Sequence, residues 1–146
     1  MKIAFITLLT FFSMSTTDWL TNYQDAQKIA TEKHRLILLN FSGSDWCGPC
    51  IRLKKEIFES KMFEDFADSN LVLVNADFPR SSKNKLNKDQ VLQNESLAEH
   101  YNTTGKFPLT LLLSAEGKII KVWDGLPADG TAGFVQQLKL ACNAHQ

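Results

Sequence analysis

The chain has 146 residues, 44% of them hydrophobic, with 16 basic and 16 acidic side chains and a formal net charge of zero. That length fills one core and is too short for two ordinary domains. Balanced charge argues against nucleic acid or an anionic membrane as the main partner, and an odd cysteine count of three argues against a disulfide-stapled scaffold.

The sequence opens with "MKIAFITLLTFFSMST", in which one basic residue, Lys2, precedes an apolar run from Ile3 to Phe12 and the small residues Ser13 and Ser15. This reads as a secretory signal peptide over residues 1–15, leaving 16–146 as the folded domain. A buried first strand or helix is the alternative. The apolar run falls well short of the roughly 20 residues that cross a bilayer, and no cysteine follows it to carry a lipid. The expected location is therefore periplasmic or secreted, without stable membrane insertion. In such an oxidising compartment disulfides persist.

From Asp18, "DWLTNYQDAQKIATEKH" places Trp19, Tyr23, Ala26, Ile29 and Ala30 on one helical stripe with Asp18 as its cap. "RLILLNF", Arg35 to Phe41, is a continuous apolar run that suits a strand buried on both faces. A cysteine motif follows at once. Beyond it, Ile51, Ile57, Phe58, Met62, Phe63 and Phe66 recur at helical spacing, as one helix that bends or restarts near Ser60. "LVLVNAD", Leu71 to Asp77, is a second buried strand, and strand, helix, strand implies a parallel crossover.

A polar stretch, "FPRSSKNKLNKDQ", then leads to a helical segment with Val91, Leu92, Leu97 and Tyr101. Its basic residues Arg80, Lys83, Lys85 and Lys88 read as a solvated loop, with an anion site as the lesser reading. Asn94 and Asn102 head sequences that match the glycosylation acceptor pattern, relevant only in a eukaryotic secretory host. Strands from Leu109 to Ser114 and from Lys118 to Trp123 flank a tight turn at Glu116-Gly117, a hairpin signal. A closing helix, about Thr131 to Ala144, buries Phe134, Val135, Leu138 and one of Ala141 or Cys142. His34 and His100 show no partners in sequence and read as surface residues.

The motif itself is "DWCGPC", Asp45 to Cys50. A cysteine where a strand hands over to a helix meets unpaired backbone N–H groups and the positive end of the helix dipole, both of which favour thiolate. Lowering a thiol pKa from about 8.5 to about 7 raises the thiolate share at neutral pH from roughly 3% to about half, and thiolate is the attacking species. Cys50 lies one helical turn beyond Cys47 and can reach whatever Cys47 captures. Pro49 fits the first helical turn, where a missing N–H removes nothing bonded. Gly48 admits a partner chain. Trp46 is either a lid beside the sulfurs or a core residue.

Trp46-Cys47-Gly48-Pro49-Cys50 after a buried strand resembles the active site of the thioredoxin family, and the likeness runs from about Leu36 to Ala144. The resemblance implies an α/β thioredoxin fold with a central mixed sheet of at least four strands flanked by helices on both faces. It implies a cis Phe107-Pro108 bond whose neighbouring backbone pairs with an extended substrate segment. It also implies protein substrates bearing disulfides, a membrane-bound electron donor, no cofactor and no metal, with nothing that requires an obligate oligomer. "FSGSDWC" and the long connection after "NADFP" look like exported bacterial members rather than the compact cytosolic form.

The chain departs from that pattern at several positions. Many thioredoxins carry a buried aspartate before the motif and a buried lysine on the next strand, where this chain has Asn40 and Leu73. An amide cannot accept a proton, so product release by Cys50 would need water or another base, with Asp45 as a candidate. Lys106 and Leu109 flank the Phe107-Pro108 pair where glycine and threonine are common. Lys106 reads as a solvated loop charge, or else as a cation facing Cys47.

Three rival readings remain. Cys47, Cys50, Cys142 and His145 would supply four zinc ligands. A cysteine hydrolase would leave the second cysteine unexplained. A binding or chaperone module would use the same groove without net electron transfer. The favoured expectation is a disulfide reductase, with isomerase or oxidant as neighbours, since Gly-Pro between the cysteines resembles the reducing end of the family.

Overall fold

The computed structural model describes residues 17–145. The expected signal peptide, residues 1–15, lies outside them. Five strands and five α-helices follow in chain order: β1 (Trp19–Leu20), α1 (Tyr23–Lys33), β2 (Leu36–Ser42), α2 (Gly48–Leu53), α3 (Lys61–Asn70), β3 (Leu71–Asp77), α4 (Lys88–Tyr101), β4 (Leu109–Leu113), β5 (Ile119–Asp124) and α5 (Gly130–Asn143). A π-helical turn, Lys54–Phe58, joins α2 to the segment before α3, and a 3₁₀ turn, Ser82–Asn84, sits in the loop after β3.

The strands form one mixed sheet in the order β1-β3-β2-β4-β5. β1 and β2 both run parallel to β3, and β4 runs antiparallel to both β2 and β5. Because side chains alternate across a strand, β2 serves two cores. Leu38 joins Phe58, Phe63, Phe134, Val135, Leu138 and Cys142 on one face. Ile37, Leu39 and Phe41 join Ala26, Ala30, Leu97 and Leu111 on the other. Helices therefore cover both faces, as the resemblance implied, with one strand more than the minimum of four.

The long apolar segment after the motif divides as expected at Ser60, whose hydroxyl caps α3 by accepting from the Phe63 N–H. The hairpin bends at Gly117, where φ is +89° and an added Cβ would lie 2.6 Å from the Tyr101 hydroxyl. That hydroxyl donates to the Gly117 carbonyl at 2.8 Å.

One element differs from the sequence reading. The first helix begins at Tyr23 with Asn22 as its cap, whose side chain accepts from the Asp25 N–H, and not at Asp18. Trp19 lies in β1, paired with Leu73 in register, and its ring packs against Phe58 and Phe63. A tryptophan that fits a helical stripe also fits a strand edge. Here pairing with β3 and burial against two phenylalanines decide the matter.

Candidate active site

β2 ends at Ser42, and a short turn delivers the chain to α2. The turn closes on Gly43, whose carbonyl accepts the Cys47 N–H at 2.8 Å and the Trp46 N–H at 3.2 Å. Cys47 is the N-cap of α2 in extended conformation, and its sulfur accepts from the Cys50 N–H at 3.2 Å. The two sulfurs are bonded to each other, with their Cα atoms 5.2 Å apart. Both cysteines are buried, while Gly48 and Pro49 between them are exposed. In the dithiol form the same N–H would donate to a thiolate at Cys47, which favours the charged species.

Trp46 is half-buried. Its indole N–H donates to the Phe78 carbonyl at 2.7 Å, and its ring meets Phe107 edge-on at 5.5 Å. Phe107 in turn meets Phe78 at 5.4 Å, and the Phe107-Pro108 peptide bond is cis. The motif, the end of β3 and the start of β4 thus share one aromatic cluster at a single edge of the sheet. Gly43 makes this possible, because a Cβ there would lie 2.3 Å from the Trp46 ring.

Asp45 is not placed as a proton acceptor. Its two carboxylate oxygens accept from the backbone N–H of Arg80 and of Ser81, each at 2.9 Å, and from the Asn84 side chain at 3.0 Å. These donors, the Arg80 amide foremost, hold its carboxyl below the usual range. The residue clamps the loop after β3. Ser44 adds a second clamp through its N–H and hydroxyl to the Asp77 carboxylate, at 2.9 and 2.5 Å.

All four basic residues of the loop, Arg80, Lys83, Lys85 and Lys88, are exposed, as the solvated-loop reading expects. The Arg80 guanidinium in addition lies 3.7 Å over the Trp46 ring.

Asn40 lies beneath the motif on the α2 face of the sheet, buried at 5% exposure. It pairs in register with Asn75 on β3 and Thr110 on β4, so three polar side chains stand in one row. The Asn40 amide donates to Asn75 Oδ1 at 3.0 Å and its Oδ1 accepts from the Thr110 hydroxyl at 3.1 Å. A cleft of about 470 Å³ opens over this row and is lined by Asn40, Ser42, Asn75 and Cys50. Water entering it would reach the second sulfur. Leu73 is buried in the adjoining core and brings no charge.

Lys106 pairs with Asp124 across the hairpin and is exposed, which agrees with a loop charge and not with a cation facing Cys47. Neither acceptor-pattern asparagine is free to carry a glycan in the folded chain. Asn94 is buried and its amide donates to the Asp77 carbonyl at 2.8 Å. Asn102 is buried and pins Lys106 from both sides, donating to its carbonyl at 2.8 Å and accepting its N–H at 2.9 Å. Two residues before the cis bond's Pro108, this clasp fixes the approach of the Phe107 loop. The sequence shows these asparagines only as a glycosylation pattern, although the Asn102 clasp closes over just four residues.

The four residues of the zinc reading are not brought together. Cys142 joins the core near Leu36, Asn70 and Ser114, at the opposite end of the sheet from the motif, and His145 Nδ1 lies 2.9 Å from the Ala141 carbonyl. Burial pushes the Cys142 thiol up to about 11, so it is a poor nucleophile at neutral pH.

Residues 23–137 match the family model of a thioredoxin-like domain. The disulfide bond reductase DsbH of Chlamydia pneumoniae is 36% identical over 120 residues, covering 82% of this chain and 70% of that protein. The thioredoxin-related protein DsbJ of the same organism is 32% identical over 102 residues, covering 70% of this chain but only 28% of that protein. A solved DsbH oxidoreductase superposes with a TM-score of 0.80 at 30% identity, covering 97% of this chain and 95% of the other.

Proposed function

The chain belongs to the thioredoxin-like family and is a thiol-disulfide oxidoreductase, and from that premise we propose that it acts as an exported reductase of protein disulfides. Cys47 is the attacking sulfur and Cys50 the resolving one. The observation that carries this reading is the Cys47–Cys50 bond at the head of α2, with Cys47 as cap and its sulfur receiving the Cys50 N–H.

In the reduced protein the Cys47 thiolate attacks one sulfur of the substrate disulfide. That S–S bond breaks, the other substrate sulfur leaves as thiolate and takes a proton, and a mixed disulfide joins the Cys47 sulfur to the attacked one. Cys50 then loses its proton to water in the cleft over Asn40 and attacks the Cys47 sulfur. The bond between Cys47 and the substrate breaks, the attacked substrate sulfur leaves as thiolate and takes a proton from water, and two electrons have passed to the substrate. The Cys47–Cys50 disulfide that remains is returned to dithiol by a membrane-bound donor of two electrons and two protons. Only sulfur and protons take part, so the scheme calls on no cofactor and no metal.

Trp46, Gly48 and Pro49 support the sulfurs, and Phe107 with Pro108 lines the groove for an extended substrate segment. Export rests on the leader-like residues 1–15. Among the described residues no helix is long and apolar enough to cross a membrane. The DsbH name of the relative and Gly-Pro between the cysteines both favour net reduction over oxidation or isomerisation.

An insulin-reduction assay comparing wild type with Cys47→Ser tests the reading. Turnover by wild type that vanishes in the variant is expected. Equal, negligible reduction by both would leave a binding module.

A further inference from the structure

We propose that Arg80, with Lys83 and Lys85 beside it, is a specificity-determining flank of the redox groove that selects disulfides carried on acidic segments. This rests on the reductase reading and goes beyond it by naming the substrate class.

Arg80 stands where it can touch a bound segment. Its guanidinium lies 3.7 Å over the ring of Trp46, the residue next to Cys47, and the same ring meets Phe107, which precedes the cis proline, at 5.5 Å. The indole thus contacts both Arg80 and the residue that precedes the cis proline. A guanidinium stacked on a ring keeps its edge N–H groups outward, in the fork that matches a carboxylate.

The position of the cation is held by backbone bonds. Asp45 fixes the Arg80 and Ser81 amides, and the Trp46 indole fixes the Phe78 carbonyl, so the loop cannot swing away without breaking all three. Holding a cation in place beforehand lowers the ordering cost of reading a charge.

Arg80 brings an exposed cation to this flank of the groove, although the chain as a whole is neutral. Arg80, Lys83, Lys85 and Lys88 are exposed, and among the described residues none of them forms an ion pair. The carboxylates of Asp45 and Asp77 keep their charge nearby but are held on neutral donors, Asp45 on the Arg80 and Ser81 amides and Asp77 on Ser44. A cleft of about 350 Å³ at Arg80 is lined by the apolar Phe78, Pro79 and Leu86, by Lys85, and by the carboxylates of Asp77 and Glu95. An extended segment with one apolar side chain and a neighbouring carboxylate fits such a surface.

The test uses pre-reduced protein in single turnover against three peptides with the same internal disulfide, flanked by glutamate, glutamine or lysine. Neutral 4,4′-dithiodipyridine serves as a control for exchange chemistry, and rates are followed at low and high salt. An exposed charge pair that forms on the way to the mixed disulfide changes its rate by up to about five-fold, and salt screens it. The glutamate peptide should therefore react about that much faster than the lysine peptide at low salt and lose the advantage at high salt.

With each protein's peptide rates normalised to its own rate on the neutral disulfide, Arg80→Gln should bring the ratio close to unity, and Arg80→Lys should keep part of the preference. Equal wild-type rates on all three peptides overturn the proposal and leave the reductase reading intact. So does an Arg80→Gln protein that slows on every peptide alike with its ratio unchanged. If wild type reacts with 4,4′-dithiodipyridine but reduces no peptide, the reductase reading itself falls and takes this inference with it.

Discussion

The indole nitrogen of Trp46 donates to the carbonyl of Phe78 at 2.7 Å, tying the residue before Cys47 to the loop that leaves β3. The bond crosses between parallel neighbours in the sheet and makes one rigid rim of two loops. Gly43 leaves the space in which the indole lies.

Gly43→Ala should therefore damage the rim before it damages the sulfurs. A Cβ would meet the ring at 2.3 Å, and overpacking of this kind costs about 1–3 kcal/mol. Urea denaturation should show a lowered midpoint with unchanged slope, and insulin reduction should slow. A variant as stable and as active as wild type would show that the ring is free to move.

The Asp45 clamp predicts a dependence on pH. Its carboxyl titrates below the ordinary value of 3.8 in the folded chain, because the Arg80 and Ser81 amides and the Asn84 side chain stabilise the anion. A depressed folded pKa means that the stabilisation is present above the unfolded value and is lost as pH falls through the folded one. The Arg80 and Ser81 amide proton shifts, followed by NMR, should show an inflection below 3.8 that is absent in Asp45→Ala. Activity near neutral pH should show no proton-transfer step owed to Asp45.

Asn40→Asp places a carboxyl in the row with Asn75 and Thr110, beside the cleft that reaches Cys50. The exchange removes the donor to Asn75 and costs about 1–3 kcal/mol of stability. Burial raises the new carboxyl's pKa towards the range in which it can accept the Cys50 proton. Resolution of a trapped mixed disulfide should change in rate and acquire a new pH-dependent step, while substrate affinity changes less. Unchanged resolution kinetics across pH would mean that water already sets this step.

Much of the sheet was legible because it depends on runs and alternation. Leu71–Asp77 is read to the residue from seven positions with no strand breaker, and the hairpin follows from Gly117. β1 was not legible: two residues carry no periodicity, and their strand character comes from pairing with β3 more than fifty positions away. The sulfurs and the cis proline were visible as a family pattern. The residues that hold them were not. Asp45 resembled a base and Asn94 a glycan acceptor, because each acts through a partner that only the folded chain brings near. Arg80 is exposed as read, but its place over Trp46 arises only in the fold.

The equilibrium redox potential of the Cys47–Cys50 pair against glutathione tests the central claim most directly. With Gly48 and Pro49 between the sulfurs, the account predicts a value near the thioredoxin end, about −270 mV. A potential near −120 mV, the strong-oxidant end of the same range, would contradict it, since the pair would then take electrons from protein thiols and not deliver them to disulfides.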